Sequence, residues 1–256
     1  MSIAEGVDLD LTAAARLLLA GICERGQDAT GIAFHDAAGQ VEVAKDSRPL
    51  GDLIDEIAVP VQARAAIMHV REFTKGVPGI NDNNHPIRYG RVVGVHNGHL
   101  DNDDELFEHY GKSRSTSLIT VDSEAIMMLA DHHGDVGAAL ERVRGSAAVA
   151  LVYDDEPGRV TLAKRASRTL FVAHGRGVLL FASTREPLAL VQRATGLRLS
   201  VEEVHDGTAL EVRDGAITHR SRFRVDRRHV GRRFVTYPPV PEKPRLVRLA
   251  LARFAA

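Results

Sequence analysis

Apolar residues at positions 11, 14, 15, 18, 19 and 22 follow the i, i+3, i+4 spacing of a helix with one buried face, and Gly26 closes it, so the pattern predicts a helix over 11–25. Apolar runs at 30–35 and 40–45 flank Asp36-Ala-Ala-Gly39 and predict a β-hairpin. Short apolar runs at 65–70 and 91–96 read as strands, and the Gly, Pro and Asn residues of 75–86 between them read as loop. Helices are expected over 102–110, 122–132 and 136–144, the first two with Asn, Asp or Ser near their starts as caps. Four strands follow at 147–153, 160–165, 170–174 and 178–183, then a helix over 185–193. A last hairpin, 209–213 with 216–220, turns at Asp214-Gly215. Residues 1–10 offer only Ile3-Ala4 as the remnant of a strand.

This order of helix, strands, helices, strands and helix is compatible with two sheets between helical layers, although periodicity alone does not fix the stacking. At 256 residues and 44% hydrophobic content, a single α+β domain over 1–222 with a tail over 223–256 fits the chain. The single cysteine, Cys23, excludes an intramolecular disulfide and a cysteine-based zinc site. Apolar runs are far too short to span a membrane and no signal peptide opens the sequence, so the chain reads as cytoplasmic. Charge is divided unevenly: 220–256 holds 11 of the 33 Lys and Arg and only 2 of the 34 Asp and Glu. A basic tail beside an acidic body is expected to lie on its own domain or on a neighbouring subunit of a homo-oligomer. Leu246, Leu249 and Leu251 would bury part of a terminal helix over 245–254, after a proline-containing linker at 237–244. Nucleic acid is not the expected partner, because Trp is absent, aromatics make up 5% and no nucleic-acid module is recognisable.

The chemistry is concentrated between His69 and Asn102, in His69-Val-Arg-Glu-Phe-Thr-Lys-Gly76, Asn83-Asn-His-Pro86 and Val95-His-Asn-Gly98. Arg71 can fork onto a carboxylate. Asn97-Gly98 offers a side-chain amide and an unhindered backbone N–H, the pair from which an oxyanion hole is made, but also the commonest letters of a plain turn. The histidines lack the His-x-x-x-His spacing of a helical metal site, and no metal or cofactor is expected. Cys23 reads as a small buried hydrophobe.

Together with Arg25-Gly-Gln-Asp-Ala-Thr-Gly31, Val121-Asp-Ser-Glu124 and Gly145-Ser-Ala-Ala-Val-Ala-Leu-Val-Tyr153, these motifs resemble, in order, the glutaminase domain of the class II glutamine amidotransferases, which are N-terminal-nucleophile hydrolases. The resemblance spans roughly 11–190, and the first motif is most similar to its form in the amidophosphoribosyltransferases. It implies a four-layer αββα sandwich and L-glutamine as the substrate. It further implies that Arg71 binds the α-carboxylate and Asp122 the α-ammonium, although Asp122 could instead cap the helix after it. Asn97 and Gly98 take the oxyanion role, Thr74 and Gly76 are retained in the substrate loop, and Arg25 and Asp28 brace the turn beside the nucleophile strand. Glu72, Phe73 and Lys75 depart from the aromatic, small residue and histidine of the best-known members.

The family's nucleophile is an N-terminal Cys whose own α-amine, with a reference pKa of about 7.7 to 8.0, accepts its proton. This sequence begins Met-Ser-Ile-Ala-Glu-Gly. Three readings follow. The recorded start is internal and a Cys-Gly strand lies upstream; or Ser2 becomes N-terminal and attacks; or the chain is a pseudoenzyme that serves as a glutamine-binding or protein-interaction module. Acceptor chemistry is then expected on another chain, a synthase partner subunit.

Overall fold

Strand β7, Gly145–Tyr153, is buried along its whole length, and its alternation shows why. Ala147, Val149, Leu151 and Tyr153 join one apolar core while Ala148, Ala150 and Val152 join another. Successive side chains of a strand point to opposite faces, so a strand apolar on both must be covered on both. The computed structural model describes residues 1–36, 38–226 and 238–254. Across these residues the chain forms four layers with three apolar cores between them.

One sheet has the order β13-β12-β8-β7-β6-β5, where β5 is Ile87–Tyr89, β6 Val92–Leu100, β8 Val160–Arg165, β12 Thr208–Arg213 and β13 Ala216–Arg222. The facing sheet is built in two parts, β3-β2-β4 and β1-β10-β9-β11. Here β1 is Ser2–Ile3, β2 Ala29–His35, β3 Val41–Asp46, β4 Ala66–Arg71, β9 Phe171–Gly175, β10 Val178–Ala182 and β11 Ser200–Glu203. Strand β1 joins the parts. On one side it pairs antiparallel with β10, Ser2 opposite Leu179. On the other, Ser2 bridges Ala65, Met1 N donates to Ala66 O (2.6 Å) and Ile3 N to Arg64 O (2.8 Å).

Helices α3 (Asp103–His109), α4 (Ser123–His133) and α5 (Val136–Arg142) cover the outside of the first sheet through Ile126, Met127, Leu129 and Leu140. Helix α1 (Leu11–Ala20) and helix α6 (Arg185–Thr195) cover the second. Asp10 caps α1 by accepting from Ala13 N (2.9 Å). The helix ends at Ala20, earlier than its periodicity predicts, and the chain tightens into a 3₁₀ turn at Cys23–Arg25. At that end Gly21 meets α6, where a Cβ would fall 2.6 Å from Pro187 Cβ. A one-turn helix, α2 (Leu50–Leu53), follows β3.

The terminal helix α7, Lys243–Ala252, lies on the outer side of α1, which explains why α1 is buried nearly all round. It buries Leu246 and Ala250 while Leu249 stays 37% exposed, and Lys243 Nζ pairs with Glu24 (2.9 Å) and Glu186 (2.8 Å). The arginines at 227–233, on which the expected attraction of the tail chiefly rested, lie outside the described residues, as does 237 of the linker. No helix among the described residues is long and apolar enough to cross a membrane.

Candidate active site

The end of β4, the middle of β6 and the start of α4 converge with the head of β1 on a cavity of about 170 Å³ between the sheets. Arg25, Arg71, Thr74, Asn97, Gly98 and Asp122 all line it. Asp28 stands beside it, its carboxylate accepting from Phe73 N (2.6 Å) and its N–H bonded to Arg71 O, so it holds the turn that follows Arg71.

Arg71 is buried at the last position of β4. Its Nη1 donates to Asn84 Oδ1 (2.7 Å) and its Nη2 to Lys75 O (2.7 Å) and Gly76 O (2.5 Å). Three of five N–H groups are thereby engaged by the loop, leaving Nε–H and one Nη1–H. Asp122 immediately precedes α4 but makes no capping bond. Its Oδ2 instead accepts from Leu100 N (2.7 Å) and approaches His99 Nδ1 (3.5 Å). Burial lowers the pKa of Arg71, and the charges of Asp28 and Asp122 oppose that shift, which puts the cation and Asp122 within electrostatic reach.

Asn97 and Gly98 are not a turn. Both lie inside β6, opposite Ala148 and Ala147 of β7. A Cβ at Gly98 would fall 1.9 Å from Ser146 O and 2.4 Å from His96 Nε2, so only glycine brings this backbone so close to β7. Around the pair lies a buried relay. His96 Nε2 faces Ser146 O at 3.3 Å, and a carbonyl only accepts, so Nε2 carries the proton. Its Nδ1 then accepts from Ser123 Oγ (2.9 Å), and Ser123 Oγ accepts from His85 Nε2 (2.9 Å). The ring of His69 stands 4.5 Å from that of His85.

Burial holds all three histidines neutral. His69 is pushed down to about 3, by desolvation first and then by His96, Arg71 and Arg25. His85 and His96 are lowered by the same first cause. The unfolded chain takes up protons at these positions below about 6.5 while the folded chain does not, so stability falls as pH drops from there towards 3. The melting temperature is expected to decline already between about pH 7 and 5, above the range in which ordinary carboxylates titrate. A flat profile over that interval would contradict the relay.

One cavity residue carried no sequence signal. Arg168, in the turn between β8 and β9, donates from Nε to Ser146 Oγ (3.2 Å) and belongs to no motif. Glu72 lines the rim, and Lys75 is drawn off to Asp103 (2.6 Å) and Asp104 (3.1 Å). The position weighed as a nucleophile is placed elsewhere. Ser2 is buried outside the cavity lining, its Oγ accepting from Gly215 N (3.0 Å). Cys23 is also outside the lining, and burial raises its thiol to about 11, the reverse of an activated thiolate. Met1 lines the cavity. Among the described residues no group of three or more His, Cys, Asp or Glu is arranged to hold a metal ion.

Residues 76–190 match the model of a glutamine amidotransferase domain. The glutamine–fructose-6-phosphate aminotransferase (isomerizing) of Gluconobacter oxydans is 31% identical over 178 residues, 66% of this chain and 29% of that protein. Its counterpart in Symbiobacterium thermophilum is 34% identical over 167 residues, 62% of this chain and 27% of that one. Over these residues the chain is similar to glutamine amidotransferases. Among solved structures, the glutamine phosphoribosylpyrophosphate amidotransferase of B. subtilis superposes with a TM-score of 0.66 at 20% identity, covering 85% of this chain and 48% of that one. That likeness is one of fold. This amidotransferase-like chain thus spans under a third of the length of the curated relatives it matches.

Proposed function

We propose that this amidotransferase domain binds L-glutamine in the cavity and hydrolyses it to glutamate and ammonia, using a thiol carried at the N-terminal end of β1 by residues ahead of Met1. The acceptor of the ammonia is then bound outside the domain, on a synthase partner. The observation that carries the reading is the meeting of a buried Arg71, a buried Asp122 and the Asn97-Gly98 pair on one cavity. The substrate α-carboxylate takes an N–H of Arg71 that the loop leaves unengaged, and the α-ammonium takes the free lone pairs of Asp122. The side-chain carbonyl is then presented to Asn97 Nδ2 and Gly98 N–H, which stabilise the negative charge formed when a thiolate adds to it. Collapse of that adduct breaks the C–N bond and releases ammonia, and water cleaves the thioester to give glutamate.

The position of the thiol is supported by strand register. With Ser2 opposite Ala65, just before β4, and Leu179 on β10, residues 67–71 and 181–182 run on past Met1 with no strand between them among the described residues. Met68, His69, Phe181 and Ala182 from these stretches line the cavity. An extended segment ahead of Met1 continues β1 through this gap, and its third residue counted back from Met1 falls opposite His69.

A second reading has its own observation. The one cysteine of the sequence, Cys23, lies outside the cavity lining, and this favours a domain that binds glutamine without cleaving it. The two are separated by assaying the 256-residue chain beside a form with Cys-Gly-Ile placed before Met1. The extended form is expected to release glutamate and ammonia in equal amounts, and the 256-residue chain neither. Activity in the 256-residue chain that survives Ser2→Ala would show that the nucleophile is misplaced. An extended form that binds glutamine without cleaving it would leave the binding-module reading.

A further inference from the structure

Lys45 lies on β3, outside the cavity lining, yet its ammonium is turned inward onto the loop that shapes the cavity. Nζ donates to the carbonyl oxygens of Asn84 (2.7 Å), Pro86 (3.1 Å) and Asp82 (3.4 Å). In return Asn81 Nδ2 donates to Lys45 O (2.9 Å). The loop comes this close because β2 has Gly31 beneath it, where a Cβ would fall 2.1 Å from His85 O and 2.8 Å from Lys45 Cβ. Two site groups ride on the clamped segment. Asn84 Oδ1 holds Arg71 Nη1 at 2.7 Å, and His85 holds Ser123.

We propose that Lys45 is a positioning residue for the glutamine carboxylate: its ammonium fixes the loop against which Arg71 is aimed and adds positive charge to the side of the cavity that receives the carboxylate. This rests on the reading of the cavity as a glutamine site. The charged groups facing Lys45 are Asp82 and Arg71, and the titratable ring facing it is the neutral His85. Burial brings Lys45 down to about 8, Asp82 opposing the shift and Arg71 adding to it. A carboxylate on Arg71 relieves the repulsion between the two cations and so favours the protonated lysine. By reciprocity, protonated Lys45 favours the carboxylate. Fold stability moves the other way. The unfolded lysine keeps its proton up to about 10.5, so deprotonation above 8 relieves a desolvation cost in the fold, and stability from this group rises with pH while affinity falls. A merely structural lysine would not produce that opposition.

The test is glutamine titration of the parent chain, Lys45→Arg and Lys45→Met at about pH 7 and about pH 9, with melting temperatures and side-chain ¹⁵N spectra of the ligand-free proteins. At about pH 7, Lys45→Met is expected to bind about tenfold more weakly than the parent. On raising the pH, the parent is expected to lose about fivefold more affinity than Lys45→Arg, whose guanidinium stays charged. Glutamine's own ammonium deprotonates equally for both, so the comparison removes it. Equal affinity in parent and Lys45→Met, or parent and Lys45→Arg declining in step, would overturn the proposal. The ligand-free spectra decide where a variant fails to fold, or where the parent binds no glutamine and the cavity reading itself fails. The Asn84 amide and Arg71 guanidinium resonances of the parent are expected to move with a midpoint near 8, and resonances that stay fixed would overturn the role of Lys45.

Discussion

Asn97→Ala, made in a form that carries the thiol, should lower kcat for glutamine hydrolysis by about 10²- to 10³-fold and leave KM nearly unchanged. The size of the effect follows from where the amide is held. Asn97 lies in the central stretch of β6, paired to Ala148 on β7, with Gly98 locked against Ser146 O in the next position. Donors fixed on a paired strand need no reorganisation as charge develops on the carbonyl oxygen, and that is the condition under which one hydrogen bond contributes several kcal/mol to a transition state, roughly 2.7–4 in measured cases. A change confined to KM would mean that Asn97 contacts the bound substrate and not the adduct, and the oxyanion assignment would be wrong.

Arg71→Ala should weaken glutamine binding by roughly 10- to 150-fold, the equivalent of about 1.5–3 kcal/mol for a charged hydrogen bond, while Cys23→Ala leaves affinity alone. Arg71 also gathers the Lys75 and Gly76 carbonyls and the Asn84 side chain, so in the proposed binding mode its loss removes both the carboxylate contact and the anchor of the loop. Arg71→Lys separates the two: its single ammonium keeps the charge but not the fork, and an affinity between those of parent and alanine variant is expected. Calorimetric titration of the variants checks the order. Unchanged affinity in Arg71→Ala would remove the carboxylate assignment.

The residues that the sequence brings forward and those it hides differ in kind. Strand β7 is legible as a short, nearly unbroken apolar run, and helix α1 because its apolar residues recur at helical spacing. Arg71, Thr74 and Asn97 are legible because they sit in local motifs. Strand β1 is not, since two residues carry no period and the strand exists only through β4 and β10, distant in sequence. β5 and β11 escape for a related reason: they are three and four residues long, and Ser200–Glu203 has a single apolar residue. Asn-Gly is a strong turn signal that strand pairing overrides, and an Asp before a helix reads as a cap until its carboxylate is seen to reach Leu100 N instead. Arg168 and Lys45 reach the site across the fold, from positions that no short motif marks. The tail helix is legible from its leucines, yet Leu249 stays 37% exposed while the smaller Ala250 is fully buried with Leu246.

The most direct measurement is a calorimetric titration of the 256-residue chain with L-glutamine and, separately, with D-glutamine. In the proposed binding mode Arg71, Asp122 and the Asn97-Gly98 pair anchor three substituents of one α-carbon, so only one enantiomer satisfies all of them. One L-glutamine bound per chain, with D-glutamine bound far more weakly, is the expected result. No heat from L-glutamine, or equal affinity for the two enantiomers, would contradict the assignment of this cavity as a glutamine site.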